Sequence, residues 1–132
     1  MIGLDTNVLV RYIAQDDAHQ SAQASRLIES FTPELPGHVS VLTLAETIWV
    51  LEDVYATSRE RIAEIVETLL QTQTIVVGFA ELVWQALARF RKGKADFADH
   101  LIERLGANSG CHVTMTFDRA AARDAGMKIV GG

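Results

Sequence analysis

The feature that most limits what this chain can fold into is a repeated change of apolar period. Short runs with β-like spacing alternate with longer stretches of helical spacing along the whole sequence. That alternation predicts a parallel sheet covered by helices. Met1-Ile2-Gly3-Leu4 reads as a strand ending at Asp5, and Val8, Leu9 and Tyr12 then share one helical face. Asp17 is placed to cap a second helix carrying Ala24, Leu27, Ile28 and Phe31, which Pro33 and Pro36 end. His38 to Leu42 alternates like a strand and leads into Thr43–Glu46, read as a capping box opening a helix that reaches about Tyr55. Ser58 opens the next helix, with Ile62, Ile65, Val66 and Leu69 on its buried side. Ile75-Val76-Val77 is a short apolar strand, closed by Gly78, and Leu82, Val83, Ala86, Leu87 and Phe90 form another helical stripe. Asp96 to Ala107 reads as helix with Gly110 as its stop, His112 to Thr116 as a strand and Lys128 to Val130 as a last edge strand. The pattern is βαα repeated, with roughly five strands, no internal repeat and no low-complexity tract.

Composition narrows the class. At 132 residues and 48% hydrophobic, residues 1–132 fit one domain that buries about two thirds of its unfolded surface and needs no staple. The single Cys111 cannot form an internal disulfide or a thiolate zinc site, which points to a reducing, cytoplasmic setting. The opening residues carry no basic leader, and no run of eighteen apolar residues follows, so secretion and membrane spanning are disfavoured. With 17 acids against 12 bases and a net charge of -5, the chain cannot hold nucleic acid by bulk electrostatics; any such contact is local.

In an open parallel sheet the ligand crevice lies beyond the carboxyl ends of the strands, and the residues there are acidic. Asp5 follows the first strand, Glu46 lies one turn into the helix after the second, and Asp118 follows His112–Thr116. Asp99 sits near the start of the helix that leads to that strand. Each acid also has a purely local explanation. Glu46 fits as the distal member of the Thr43 capping box, and Asp96 as an N-cap with Asp99 reaching back. Asp118 fits as the cap of Arg119 to Ala125, and Asp5 as an Asx turn onto Asn7. For Asp96 the cap is the stronger reading.

The combination is more telling. Glu46, with Trp49 and Val50 at i+3 and i+4, and Asp5, at the end of an apolar strand, are expected to be half-buried. Carboxylates gathered in such a place repel one another and lose hydration at a cost of several kcal/mol per uncompensated ion, which a divalent cation would relieve. All-oxygen ligation selects Mg²⁺ or Mn²⁺ over zinc, and His19, His38, His100 and His112 show no zinc-binding spacing, so each reads as structural or surface.

The segments MIGLDTNVLVRY, LTLAETIWVL, ADFADHLIERLGANSGC and VTMTFDRAA, in that order along nearly the whole chain, resemble a PIN domain, most closely a VapC-type toxin of a bacterial toxin–antitoxin pair. The resemblance implies a three-layer α/β/α fold with a central, mainly parallel sheet of about four to five strands. It implies metal-dependent hydrolysis of RNA phosphodiesters by Asp5, Glu46, Asp99 and Asp118, with Asp96 as a fifth candidate ligand. Asp99 ranks above Asp96 because it matches the family aspartate of the Asp-x-Leu-Ile block. One or two Mg²⁺ ions would activate a water and stabilise charge in an in-line displacement, with no side-chain nucleophile. Thr6 and Asn7 would shape the loop under the metal, and Thr116 would donate a hydroxyl hydrogen bond to a ligand or phosphate. The resemblance also implies a cognate antitoxin protein as partner and a homodimer.

Arg89, Arg91, Lys92 and Lys94 put four bases in six residues, a run that complements a helix carboxyl end and is also a candidate RNA-backbone contact, as is Arg119. The aromatic residues are too few for a stacking platform, and Trp49, Trp84, Phe31 and Phe90 read as core or interface residues; Tyr12, Trp49 and the helix from Asp17 to Phe31 are candidate partner contacts. Two other classes compete. An aspartyl phosphotransferase would use Asp5 as nucleophile, but haloacid-dehalogenase-type enzymes carry a second aspartate where this chain has Asn7. A catalytically inactive RNA-binding or partner-binding module of PIN fold would keep the acids only for stability or a structural ion.

Overall fold

Apolar strand runs too short to stand alone pair in chain order in the computed structural model, which describes residues 1–132. The elements are β1 (Ile2–Gly3), α1 (Thr6–Ala14), α2 (Ala18–Glu29), β2 (Gly37–Val39), α3 (Val41–Asp53), α4 (Arg59–Gln71), β3 (Ile75–Val77), α5 (Ala80–Lys92), α6 (Phe97–Asn108), β4 (Met115–Thr116), α7 (Arg119–Asp124) and β5 (Lys128–Ile129). They fall into two compact units, Met1–Ala80 and Glu81–Gly132. No helix is long and apolar enough to cross a membrane.

In the first unit β1, β2 and β3 form a parallel sheet in that order, with Ile2 opposite Gly37 and Gly37 opposite Ile75. Each crossover is a pair of helices, as the βαα period requires. Parallel pairing sends the carboxyl ends of all three strands to one edge, where Asp5 and Ser40 open α1 and α3. α1 packs on α2 and α3, burying Leu9, Ile28, Leu44 and Ile48. Ile62, Ile65, Val66 and Leu69 are all buried on α4, as their spacing predicts, and Ser58 caps that helix by accepting from Arg61 N at 3.2 Å.

The second unit holds the remaining helices and a separate parallel pair, β4 with β5, in which Met115 lies opposite Lys128 and Thr116 opposite Ile129. The expected sheet of four to five strands is therefore corrected to three, plus this two-stranded pair. The reason is hydrogen-bond satisfaction: each of these last strands has two residues, and they use each other as partners. Only Met115–Thr116 of the predicted His112–Thr116 strand is extended into a ladder. Val83, Ala86, Leu87 and Phe90 are buried on α5. The Phe90 and Phe97 rings meet edge to face with centroids 5.6 Å apart, a contact worth about 0.5–1.5 kcal/mol beyond its area.

Two local features generate tests. Gly37, in the central strand, lies under the Phe31 ring, and a Cβ there would overlap the ring carbons Cε2 and Cδ2. Gly37→Ala should therefore cost about 1–3 kcal/mol of stability in urea denaturation, as overpacking does, with Phe31→Leu recovering part of the loss.

The second feature ties α1 to the residues that follow it and, through Asp16, to Tyr55. Arg11 donates from Nε to Gln20 Oε1 at 2.8 Å and from Nη1 to Asp16 Oδ1 at 3.1 Å, and the Tyr55 hydroxyl donates to Asp16 Oδ2 at 2.6 Å. The bond from Tyr55, helped by Arg11, holds the Asp16 carboxyl below its ordinary range. The same bond holds the Tyr55 phenol above its ordinary value of 10.0. A group whose pKa is raised by folding stabilises the fold below its unfolded pKa and stops doing so as pH rises through the folded value. Stability should accordingly fall above about pH 10, with Tyr55 ionising late in an ultraviolet absorbance titration, and Asp16→Asn should move that ionisation to lower pH.

Candidate functional site

The acids singled out in the sequence sit where they do because aspartate caps helices. Asp5 leaves β1 and caps α1, its Oδ1 accepting from Thr6 N at 2.8 Å rather than from Asn7 as an Asx turn would. Asp118 follows β4 and caps α7, its Oδ1 accepting from Ala120 N at 2.8 Å and Ala121 N at 3.1 Å. Asp96 occupies the N-cap position of α6, and its N–H donates to Asp99 Oδ2 at 3.2 Å, the reach-back expected from their spacing. In each of Asp5, Asp99 and Asp118 one carboxylate oxygen is held by backbone N–H groups, and the other takes no protein hydrogen bond.

Glu46 departs from its local explanation. The strand before it stops at Val39, and α3 starts at Val41 with Ser40 as the cap, accepting from Thr43 N at 3.1 Å. The Thr43–Glu46 capping box is thus corrected to a Ser40 cap, whose Oγ also donates to Thr43 Oγ1. Glu46 is left free of the helix end. Its Oε1 accepts from the Thr6 hydroxyl at 3.3 Å, which joins α3 to the first turn of α1. Asp5, Thr6, Asn7 and Glu46 line one cleft of about 320 Å³ within the first unit, together with Arg11 and Tyr55. Asp5 and Glu46 are exposed, against the expected half-burial, because Glu46 points off the polar face of α3 while Leu44, Thr47 and Ile48 take the buried side.

In the second unit Asp96, Asp99 and Asp118 interact through their charges. Burial pushes the Asp99 carboxyl up, the Asp96 N–H pulls it back, and the charges of Asp96 and Asp118 add to the rise. Thr116 Oγ1 accepts from Asp118 N at 2.9 Å, so this hydroxyl oxygen orients the Asp118 turn while its own O–H stays available as a donor. His100, next to Asp99, is fully buried on α6, consistent with a structural histidine.

Hard oxygen donors with unneutralised charge suit a hard divalent cation. None of Asp5, Glu46, Asp99 and Asp118 takes part in a salt bridge, whereas Arg11 pairs with Asp16 and Arg61 with Glu64. No three His, Cys, Asp or Glu side chains are gathered closely enough around one point to hold a metal ion. In the basic run, Arg89 is paired with Glu103 at 3.0 Å, and Glu103 also holds Arg104 at 2.6 Å. Arg91, Lys92 and Lys94 are exposed, as is Arg119. Phe31 and Phe90 are core residues, whereas Trp49 is 62% exposed. Arg11 and Tyr55 carry no motif; only the i,i+4 spacing of Asn7 and Arg11 hints that they share one face of α1.

Charge repulsion at Asp99 makes a thermal prediction. In metal-free protein Asp99→Asn should raise Tm, on the order of 2–4 °C, by removing a charge that partial burial opposes first and the charges of Asp96 and Asp118 oppose in addition. Added Mg²⁺ should raise the Tm of the wild type more than that of the variant in differential scanning calorimetry.

Comparison with known proteins agrees with the motif order. No curated protein sequence matches the chain. The family model of the PIN domain matches residues 2–126, a span that contains Asp5, Glu46, Asp99 and Asp118. With an α/β fold of seven helices and a parallel sheet, and carboxylates at the helix starts that follow its strands, the chain belongs to the PIN domain family, a family of nucleases that act on RNA and generally depend on a divalent metal.

Proposed function

We infer that this protein is a Mg²⁺- or Mn²⁺-dependent endoribonuclease, with Asp5, Glu46, Asp99 and Asp118 as its metal-ligating and catalytic carboxylates. The observation that carries the reading is that all four are held by backbone or hydroxyl donors and none is neutralised by a basic side chain. A chain that fixes its carboxylates in this way leaves their charge for an external cation. When bound, one or two such ions supply a water of lowered pKa and neutralise charge on the phosphate. The protein's own share is positional. Thr6 orients Glu46, Asn7 borders the same cleft, Thr116 sets the Asp118 turn, and Asp96 acts on Asp99 as a cap and a fifth, weaker ligand candidate. Arg91, Lys92, Lys94 and Arg119 are exposed cations and the candidate contacts for an RNA backbone; Arg89, also exposed, is held by Glu103.

The finer reading is a VapC-type toxin acting in the cytoplasm, inhibited by a cognate antitoxin and working as a homodimer. It rests on the resemblance of the four segments and on the family match running through both units, which also supports treating residues 1–132 as one functional PIN domain of three-layer α/β/α design. Leu42 and Trp49, seven residues apart on α3, are 68% and 62% exposed, the kind of uncovered apolar pair a protein partner would bury.

The test is incubation of purified protein and its Asp5→Asn and Asp118→Asn variants with total cellular RNA in Mg²⁺, Mn²⁺ or EDTA, with mapping of new 5′ ends. Discrete cuts are expected that need the metal and both aspartates, while each variant keeps its circular dichroism spectrum. Absence of cleavage by folded wild type with metal would instead favour the inactive binding module, and a trapped phosphoryl group on Asp5 would favour the phosphotransferase.

A further inference from the structure

The cleft that holds Asp5 and Glu46 has a second end the carboxylates do not explain. From Asp5, the cap of α1, the six steps to Arg11 rise about 9 Å along the helix. At the far end lie the Arg11 guanidinium and the Tyr55 hydroxyl, and the wall between is apolar, built by Val10, Val50 and Val54. At about 320 Å³ the cleft has the volume of a small-ligand site. Arg11 is held by Gln20 and Asp16 through Nε and Nη1, contacts that leave Nη2 unused and fix the plane of the fork. The hydrogen bond to Asp16 keeps it firmly charged. A fixed, part-covered guanidinium is suited to a phosphate, which it can meet with charge-assisted hydrogen bonds at little entropic cost. Val54, 65% exposed beside Tyr55, is an apolar surface with no protein cover.

A role confined to stapling α1 to α2 would explain the contacts with Gln20 and Asp16. It would not explain why the staple lines the cleft that contains the acids. We propose that this cleft is a nucleotide subsite: Arg11 binds the phosphate of the ribonucleotide adjoining the scissile bond, and the base of that nucleotide packs on Tyr55, Val50 and Val54. The proposal rests on the nuclease reading and assigns Arg11 to substrate binding rather than to the chemical step.

The experiment is nuclear magnetic resonance titration of the full chain in Mg²⁺ buffer, following the Arg11 Nε–H and the Val50 and Val54 methyl signals. The probes are the four ribonucleoside 5′-monophosphates, with the nucleosides and inorganic phosphate as controls. Saturable shifts at all three residues are expected from at least one monophosphate, with its nucleoside and phosphate alone binding about tenfold or more weakly. Arg11→Gln should abolish the advantage of monophosphate over nucleoside, and Arg11→Lys should retain part of it. Val54→Glu, at an exposed site that does not threaten folding, should weaken the monophosphate about tenfold by placing a charge in the cleft. Shifts that map elsewhere, equal binding of phosphate and nucleotide, or a Val54→Glu protein that binds as wild type does would overturn the subsite. Monophosphate binding without any RNA cleavage would fault the nuclease reading and leave the subsite standing. RNA cleavage with KM unchanged in Arg11→Gln and Val54→Glu, and no shifts, would do the reverse.

Discussion

The structure turns on the bond between a carboxylate and the free N–H groups at the start of a helix. A helix leaves its first four N–H groups without internal partners and carries partial positive charge there, so an aspartate at that place is both a cap and a stabilised anion. Asp5, Asp96 and Asp118 occupy such positions, and Asp99 closes the Asp96 turn from within. The local and the functional explanations of these residues are therefore compatible. The cap consumes one oxygen of the carboxylate, fixes its direction, and leaves the second oxygen and most of the charge unmet.

Parallel pairing supplies the other constraint. Because β1, β2 and β3 run the same way, the starts of α1 and α3 come to one edge of the sheet. Residues forty positions apart, Thr6 and Glu46, then meet through a hydroxyl hydrogen bond. The same alignment places Arg11 and Tyr55 along the cleft that Asp5 opens, so one face of α1 carries an acidic start and a basic end. A chain of net charge -5 meets a polyanion through local charge of this kind rather than through its overall field.

Much of this was legible in the sequence. Helical stripes such as Ile62, Ile65, Val66 and Leu69 and caps such as Asp17, Ser58 and Asp96 follow from spacing and from side-chain chemistry, and the structure keeps them. The errors have a common origin. At Ser40–Glu46 two hydroxyl residues three apart both fit a cap, and which one serves depends on where β2 stops pairing with β3. The four-to-five-strand sheet failed similarly, since two-residue runs do not declare their partners. Neighbours at i+3 and i+4 predict half-burial of Glu46, yet Trp49 is itself exposed and gives it no cover.

The sequence by itself determined the element order, the buried faces, and the identity of the acids that follow the strands, because these depend on period and on short-range hydrogen bonding. Only the tertiary structure decided that Glu46 is released from its helix end to meet Thr6, that β4 and β5 pair with each other, and that Arg11 is tied to Asp16, Gln20 and, through Asp16, Tyr55. Those outcomes depend on contacts between residues distant in the chain. Such contacts form only where strand register and helix packing bring the side chains within reach, and local spacing carries no record of that.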